Sequence, residues 1–111
     1  MSSRSPVTTH ILDLVAGKPA VGVVVRLFAG ETLLTQGMTN EDGRVEDWEE
    51  SFSIGAGRYR LEFEVEPWFE QKGEASFYAD VQIAFKVVDP DQHYHVPLLL
   101  SPYGYSTYRG S

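Results

Sequence analysis

An all-β sandwich is the fold class this sequence predicts, from three observations: period-two alternation of apolar residues, turn residues recurring at short intervals, and only one short helical window. In "RYRLEFEVE", Tyr59, Leu61, Phe63 and Val65 alternate with Arg58, Arg60, Glu62, Glu64 and Glu66. In "DVQIAFKVV", Val81, Ile83, Phe85 and Val87 alternate with Asp80, Gln82, Ala84 and Lys86. "VGVVVRLF" sets Val21, Val23, Val25 and Leu27 on one side. Alternation of this kind marks strands that bury one face and wet the other. Short strands separated by Gly, Asp and Pro clusters form sandwiches.

Taken in order, the first strand is expected over 8–14, "THILDLV", and ends at the turn "AGKPA". A second follows over 21–29, and "AGE" turns it into a third over 32–38. "NEDG" at 40–43 leads into a strand over 43–48, and "GAG" at 55–57 opens the alternating strand 57–66. "PWFEQKG" is the helical window, with Pro67 suited to the first helical position and Gly73 to the residue past the end. Strand 79–88 runs to the turn "DPDQ", and strands 93–100 and 104–109 complete the set of eight.

The 111 residues fit a single domain spanning 1–111, long enough to bury a real core. The net charge of −7 argues against nucleic acid as a partner, because binding polyphosphate takes clustered Lys and Arg. With no cysteine, disulfides, thiol nucleophiles and zinc–thiolate sites are excluded. The N-terminal "MSSRSPVTTH" has no apolar core of a secretory signal, and no apolar run approaches the ~20 residues of a membrane helix. The expected compartment is the cytoplasm, with no membrane partner.

Two strands have faces that fit neither core nor water. In "HYHVPLLLS", Tyr94, Val96, Leu98 and Leu100 make the better core face, so His93, His95, Pro97, Leu99 and Ser101 point away from it. In "THILDLV", Thr9, Ile11 and Asp13 oppose His10, Leu12 and Leu14, and either choice exposes apolar bulk. Outward apolar residues on two strands imply cover by another subunit. The chain has only three histidines, and all sit on these strands. They allow two chemistries. His93 and His95, roughly 7 Å apart by strand rise, could join His10 in a three-His metal site. Alternatively, a neutral imidazole can take a proton near neutral pH, with an Arg stabilising developing negative charge. Residue types and spacing alone leave both open.

The chain end keeps a strand pattern: Tyr105, Thr107, Arg109 and Ser111 alternate with Ser106, Tyr108 and Gly110. Termini usually fray, so a patterned end is expected to dock, and a phenol, a guanidinium, a flexible Gly and a carboxylate could line a polar cleft.

The ending "HYHVPLLLSPYGYSTYRGS", with its last four residues Tyr108–Ser111, resembles the terminal motif of the transthyretin-like proteins that act as 5-hydroxyisourate hydrolases. "THILDLVAGKPA" resembles that family's other signature, and "NEDGR" supplies its Arg after a turn. The likeness spans essentially the whole chain. It implies a transthyretin-like (prealbumin-like) sandwich of two four-stranded sheets with one short helix. It further implies a homotetramer, a dimer of dimers, whose active site lies in a channel between the pairs.

Carried over residue by residue, the family's working groups fall on His10, Arg44, His95, Tyr108, Arg109, Gly110 and Ser111. The resemblance assigns catalysis to His10, Arg44, His95 and Ser111, and substrate binding to His10, Arg44, Tyr108, Arg109 and Gly110. His93 ranks below His95, and Leu12, Pro97 and Leu99 are taken as channel or interface wall. The implied reaction is hydrolysis of 5-hydroxyisourate to 2-oxo-4-hydroxy-4-carboxy-5-ureidoimidazoline in urate degradation, with neither cofactor nor metal. The alternative is a carrier that holds a small aromatic ligand in the same channel without chemistry, as transthyretin does.

Overall fold

The computed structural model describes residues 5–111. The first four positions of the polar N-terminal stretch, read above as lacking a signal sequence, lie outside the described residues. The elements are β1 (Val7–Asp13), β2 (Lys18–Pro19), β3 (Val24–Ala29), β4 (Thr32–Met38), β5 (Arg44–Val45), β6 (Gly57–Phe63), α1 (Val65–Gln71), β7 (Val81–Val87), β8 (Tyr94–Ser101) and β9 (Gly104–Thr107). One sheet has the order β4-β3-β6-β7; the other has the order β2-β1-β8-β9, with β5 also on β1. Among the described residues, no helix is long and apolar enough to cross a membrane.

The expected four-plus-four count is corrected to four plus five. The extra piece is β2, which pairs with β1 at Leu12 and Asp13; β5, inside the expected strand 43–48, pairs with β1 at Thr9 and His10. Since β8 holds the other edge of β1, the two short pieces share one edge end to end. That sheet therefore stays four strands wide. The strand expected over 43–48 shrinks to Arg44–Val45, because the acidic run behind it turns outward and Trp48 folds back to donate its indole N–H to the Val7 carbonyl at 2.8 Å.

Alternation becomes burial where a strand lies inside its sheet. Tyr59, Leu61 and Phe63 on β6 are buried between half-buried Arg60 and Glu62. On the edge strand β7, Ile83 and Phe85 stay half-exposed. The start of β3 departs from the pattern. Gly22 takes a left-handed φ of 86°, so the ladder begins only at Val24 and Val21 remains 49% exposed. The core between the sheets holds Ile11, Leu27, Leu61, Phe63, Leu98 and Leu100, each worth about 1.5–3 kcal/mol on full burial.

Helix α1 starts at Val65, two residues before the expected Pro67. Pro67 is tolerated there because the first-turn N–H groups have no intrahelical acceptor. The helix ends as expected before Gly73, whose φ is 72°. It buries Val65, Trp68 and Phe69. Trp68 donates its indole N–H to the Val21 carbonyl at 2.8 Å, and Lys72 Nζ donates to Asp13 Oδ2 at 2.6 Å, tying the helix to β1.

Candidate active site

β1 and β8 run parallel, with Thr8 opposite His95, His10 opposite Pro97 and Leu12 opposite Leu99. Val7, Thr9, Ile11 and Asp13 are buried in the sandwich, so the alternate set Thr8, His10 and Leu12 faces outward. β8 makes the same choice: Tyr94, Val96, Leu98 and Leu100 are the core face, as expected. Thr9 Oγ1 donates to the Val96 carbonyl at 2.6 Å, which holds the two strands together from within. The outward face is thereby fixed by the inward one.

Arg44 comes to this face from the far edge of β1, directly opposite His10. The turn before it explains how. Asn40 Oδ1 accepts from the backbone N–H of Asp42 at 2.9 Å and of Arg44 at 3.0 Å. Gly43 sits at φ 74°, where a Cβ would come within 2.6 Å of the Ile11 carbonyl oxygen. In return, Ile11 N–H donates to the Gly43 carbonyl at 2.8 Å. Only a glycine lets this turn lie so close along β1, and that approach delivers Arg44 beside His10.

The chain end reaches the face from the opposite side. Gly110 N–H donates to the His95 carbonyl at 2.8 Å and makes a bridge with His95. A Cβ on Gly110 would lie 2.5 Å from His95 Cδ2 and 3.1 Å from Pro97 Cγ. Glycine is needed here for close approach to the imidazole, not for the flexibility expected of it, and its φ is not in the left-handed range. Two rows therefore cross the sheet: Arg44–His10–Pro97 and Thr8–His95–Gly110.

Other predicted residues divide. Tyr108 falls level with Pro97, between the Thr107–Leu98 pair and the Gly110–His95 bridge, and is 58% exposed. Arg109 turns away. Its guanidinium lies over the Tyr94 ring at 4.5 Å and donates to Gln92 Oε1 at 3.0 Å and the His93 carbonyl at 3.2 Å. It pins the tail rather than facing His10. Together Tyr108 and Arg109 also border a cleft of about 190 Å³ between β7 and β9, lined by Ile83, Phe85, Tyr94 and Val96 among others. Ser111 is exposed, one residue beyond the docked Gly110.

Electrostatics separate the histidines. Burial pushes the His10 pKa below its ordinary 6.5, and the Arg44 charge pushes the same way; a hydrogen bond to the Asp42 backbone and the Asp42 charge oppose both. His10 is thus neutral at pH 7. His93 and His95 stack with ring centroids 6.5 Å apart and planes at 15°, close to the spacing read from strand rise. Between them lies a residue the sequence reading missed: Thr8 Oγ1 is 2.9 Å from His93 Nε2 and 2.8 Å from His95 Nδ1. Its signal was its place in "TTH", two residues before His10 on the same face. For the three-His metal alternative, the described residues hold no group of three His, Cys, Asp or Glu side chains converging for an ion. A neutral imidazole, a second imidazole and a guanidinium on one face are groups that can act as an acid/base pair with a cationic oxygen-binding group beside it.

Known proteins share this arrangement of strands. The HIUase/Transthyretin family model matches residues 7–110. The chain is 42% identical to 5-hydroxyisourate hydrolase of Mus musculus over 116 residues, covering 99% of this chain and 98% of that protein. The structure of Klebsiella pneumoniae 5-hydroxyisourate hydrolase superposes with a TM-score of 0.86 at 40% identity, covering 98% of this chain and 100% of that one. Sea bream transthyretin in complex with thyroxine superposes with a TM-score of 0.84 at 29% identity, over 95% of this chain and 94% of that one. With a family model matched along nearly its full length and a relative 42% identical over nearly the whole of both chains, this chain belongs to the HIUase/Transthyretin family.

Proposed function

We propose that the protein is a hydrolase that opens the six-membered ring of 5-hydroxyisourate, giving 2-oxo-4-hydroxy-4-carboxy-5-ureidoimidazoline. The observation that carries this is the convergence of Arg44, His10 and His95 on one sheet face, in a chain 42% identical to a hydrolase of that name. In the mechanism, His10, held neutral, acts with His95 to orient the attacking water, take its proton and return it to the leaving ring nitrogen. Arg44 holds the substrate oxygens and stabilises the oxyanion. Tyr108 closes over the ring, and Arg109 fixes the tail from behind. Positioned acid/base groups contribute about 10²–10⁴-fold, and an oxyanion donor roughly 10²–10³-fold.

The site is completed by a homotetramer. Leu12 and Leu99 form a half-buried apolar strip beside the histidines, and Leu14, Val15 and Val21 near the end of β1 are exposed. β7 and β9 each end a sheet with one edge unpaired in the described chain, which suits edge-to-edge pairing of two protomers.

The test is the decay of freshly generated 5-hydroxyisourate, followed by absorbance. Catalysed decay is expected. A rate equal to the spontaneous one, together with saturable binding of a small aromatic ligand, would favour the carrier reading that the likeness to transthyretin supports. His95→Ala and Arg44→Ala are expected to fold and lose about 10²-fold or more in turnover. Wild-type rates in either would move the site elsewhere.

A further inference from the structure

Thr8 has one hydroxyl and two imidazoles within hydrogen-bond distance, His95 Nδ1 at 2.8 Å and His93 Nε2 at 2.9 Å. A hydroxyl carries one proton, so it donates to one imidazole nitrogen at a time and accepts from the other. The two rings' tautomers are therefore coupled through Thr8. Three surroundings keep the hydroxyl where it is. Thr8 is only 5% exposed, the parallel register puts it opposite His95, and the His93 and His95 rings stack nearly parallel.

We propose that Thr8 is a positioning residue that sets the tautomer of His95 and links it to His93, a role resting on the hydrolase reading above. In the arrangement it selects, His95 Nδ1–H donates to Thr8 Oγ1, and the Thr8 O–H donates to His93 Nε2. His95 is then the Nδ1–H tautomer, and proton exchange with water or substrate falls to its Nε2. When Nε2 takes a proton from the attacking water, the positive charge can be shared along the same line. The Nδ1 proton passes to Thr8 Oγ1 as the Thr8 hydroxyl proton passes to His93 Nε2, leaving His95 neutral and His93 protonated. The reverse shift returns the proton for the leaving nitrogen, so no proton is lost or gained over the cycle. In this scheme His93 acts as a reserve for the proton without touching substrate, which explains why a second imidazole lies one pleat from the first.

Nitrogen NMR of uniformly ¹⁵N-labelled protein at neutral pH tests the tautomer without any substrate. His95 is expected as the Nδ1–H form in the wild type and as predominantly the Nε2–H form in Thr8→Val, which keeps the shape of the side chain and removes the hydroxyl. In the absorbance assay, Thr8→Val is expected to lose about 10²-fold in kcat with KM within about twofold. Thr8→Ser, which restores the hydroxyl, is expected to recover most of that loss. A wild-type His95 in the Nε2–H form would overturn the proposal even if Thr8→Val failed to fold. So would full kcat in a folded Thr8→Val. A wild-type protein that leaves 5-hydroxyisourate to decay spontaneously would instead refute the hydrolase reading, while the NMR result would still judge the tautomer on its own.

Discussion

At pH 7 an imidazole whose pKa is pushed down by burial and by a neighbouring guanidinium is held in its uncharged form, with one ring nitrogen free to accept a proton, and His10 is such a group. Its folded-state pKa lies below 6.5, so a base function is complete above that value and falls away as the pH drops through the folded pKa. The same sign applies to stability. Folding favours the neutral form, so His10 opposes folding only as the pH falls below 6.5. Proton NMR titration of the His10 ring is expected to give a midpoint under 6.5, moving upward in Arg44→Met because the cationic contribution is gone. An unmoved midpoint would mean that the guanidinium does not act on His10. The second residue-scale case is Gly110, where any Cβ would come within 2.5 Å of His95 Cδ2. Gly110→Ala must shift either the tail or the imidazole. A displacement near 1 Å costs about 10²-fold in turnover, so kcat is expected to fall by that order with little change in Tm. Unchanged kcat would show that the tail can yield without disturbing His95.

Among the elements, those with clean alternation were legible in the sequence. β6 and β8 run where they were expected to within a few residues, because one buried face and one wet face leave a period-two trace. The outward setting of His95 and Leu99 followed from the same trace, whereas for His10 the alternation left either face possible until burial of Val7, Thr9, Ile11 and Asp13 decided it. What sequence could not show was contact made by chain reversal. β2 has two residues and exists because the turn at Gly17 lays it on β1, and of the strand expected over 43–48 only the two residues that the turn at Gly43 lays on β1 remain. Arg44 owes its place to that turn, and Thr8 owes its role to a register between strands 87 residues apart in sequence.

The helix is tied by a pair that alternation also hides. Burial alone would raise the Asp13 pKa, but hydrogen bonds from Lys72 and from the backbone of Ala16 and Val15 outweigh it and hold it below 3.8. The pair therefore stabilises the fold above pH 3.8 and is lost as the pH falls through the lowered value. Lys72→Met is expected to cost about 1.5–3 kcal/mol at neutral pH, with the gap to wild type closing in urea melts well below pH 3.8. A gap that persists in acid would place the loss in packing on the Trp68 ring, 4.4 Å from Lys72 Nζ.

For the whole molecule, the question is why an outward sheet face should carry two imidazoles and a guanidinium beside leucines. A lone protomer would leave Leu12 and Leu99 partly wet and the imidazoles open to bulk water on one side. Covering that face with a second copy removes both problems, burying the leucines and drying the surroundings in which Arg44 and His10 act, where charge stabilisation is stronger. Assembly and activity should therefore fail together. Leu99 pairs with Leu12 and with Ser106 across the middle of the face, two pairs away from the His95–Gly110 row and next to the His10–Pro97 pair. In Leu99→Arg, a cation replaces a half-buried leucine that the proposed assembly would cover in every protomer. Each buried leucine is worth about 1.5–3 kcal/mol, and an unpaired buried charge costs more. Sedimentation is expected to show the wild type at four times the 12.4 kDa chain mass and the variant at a smaller assembly, with turnover per protomer falling in parallel. Circular dichroism should show the sandwich intact in both. A dissociated but fully active variant would mean that a single protomer holds the entire site, and the leucine strip would then need another explanation.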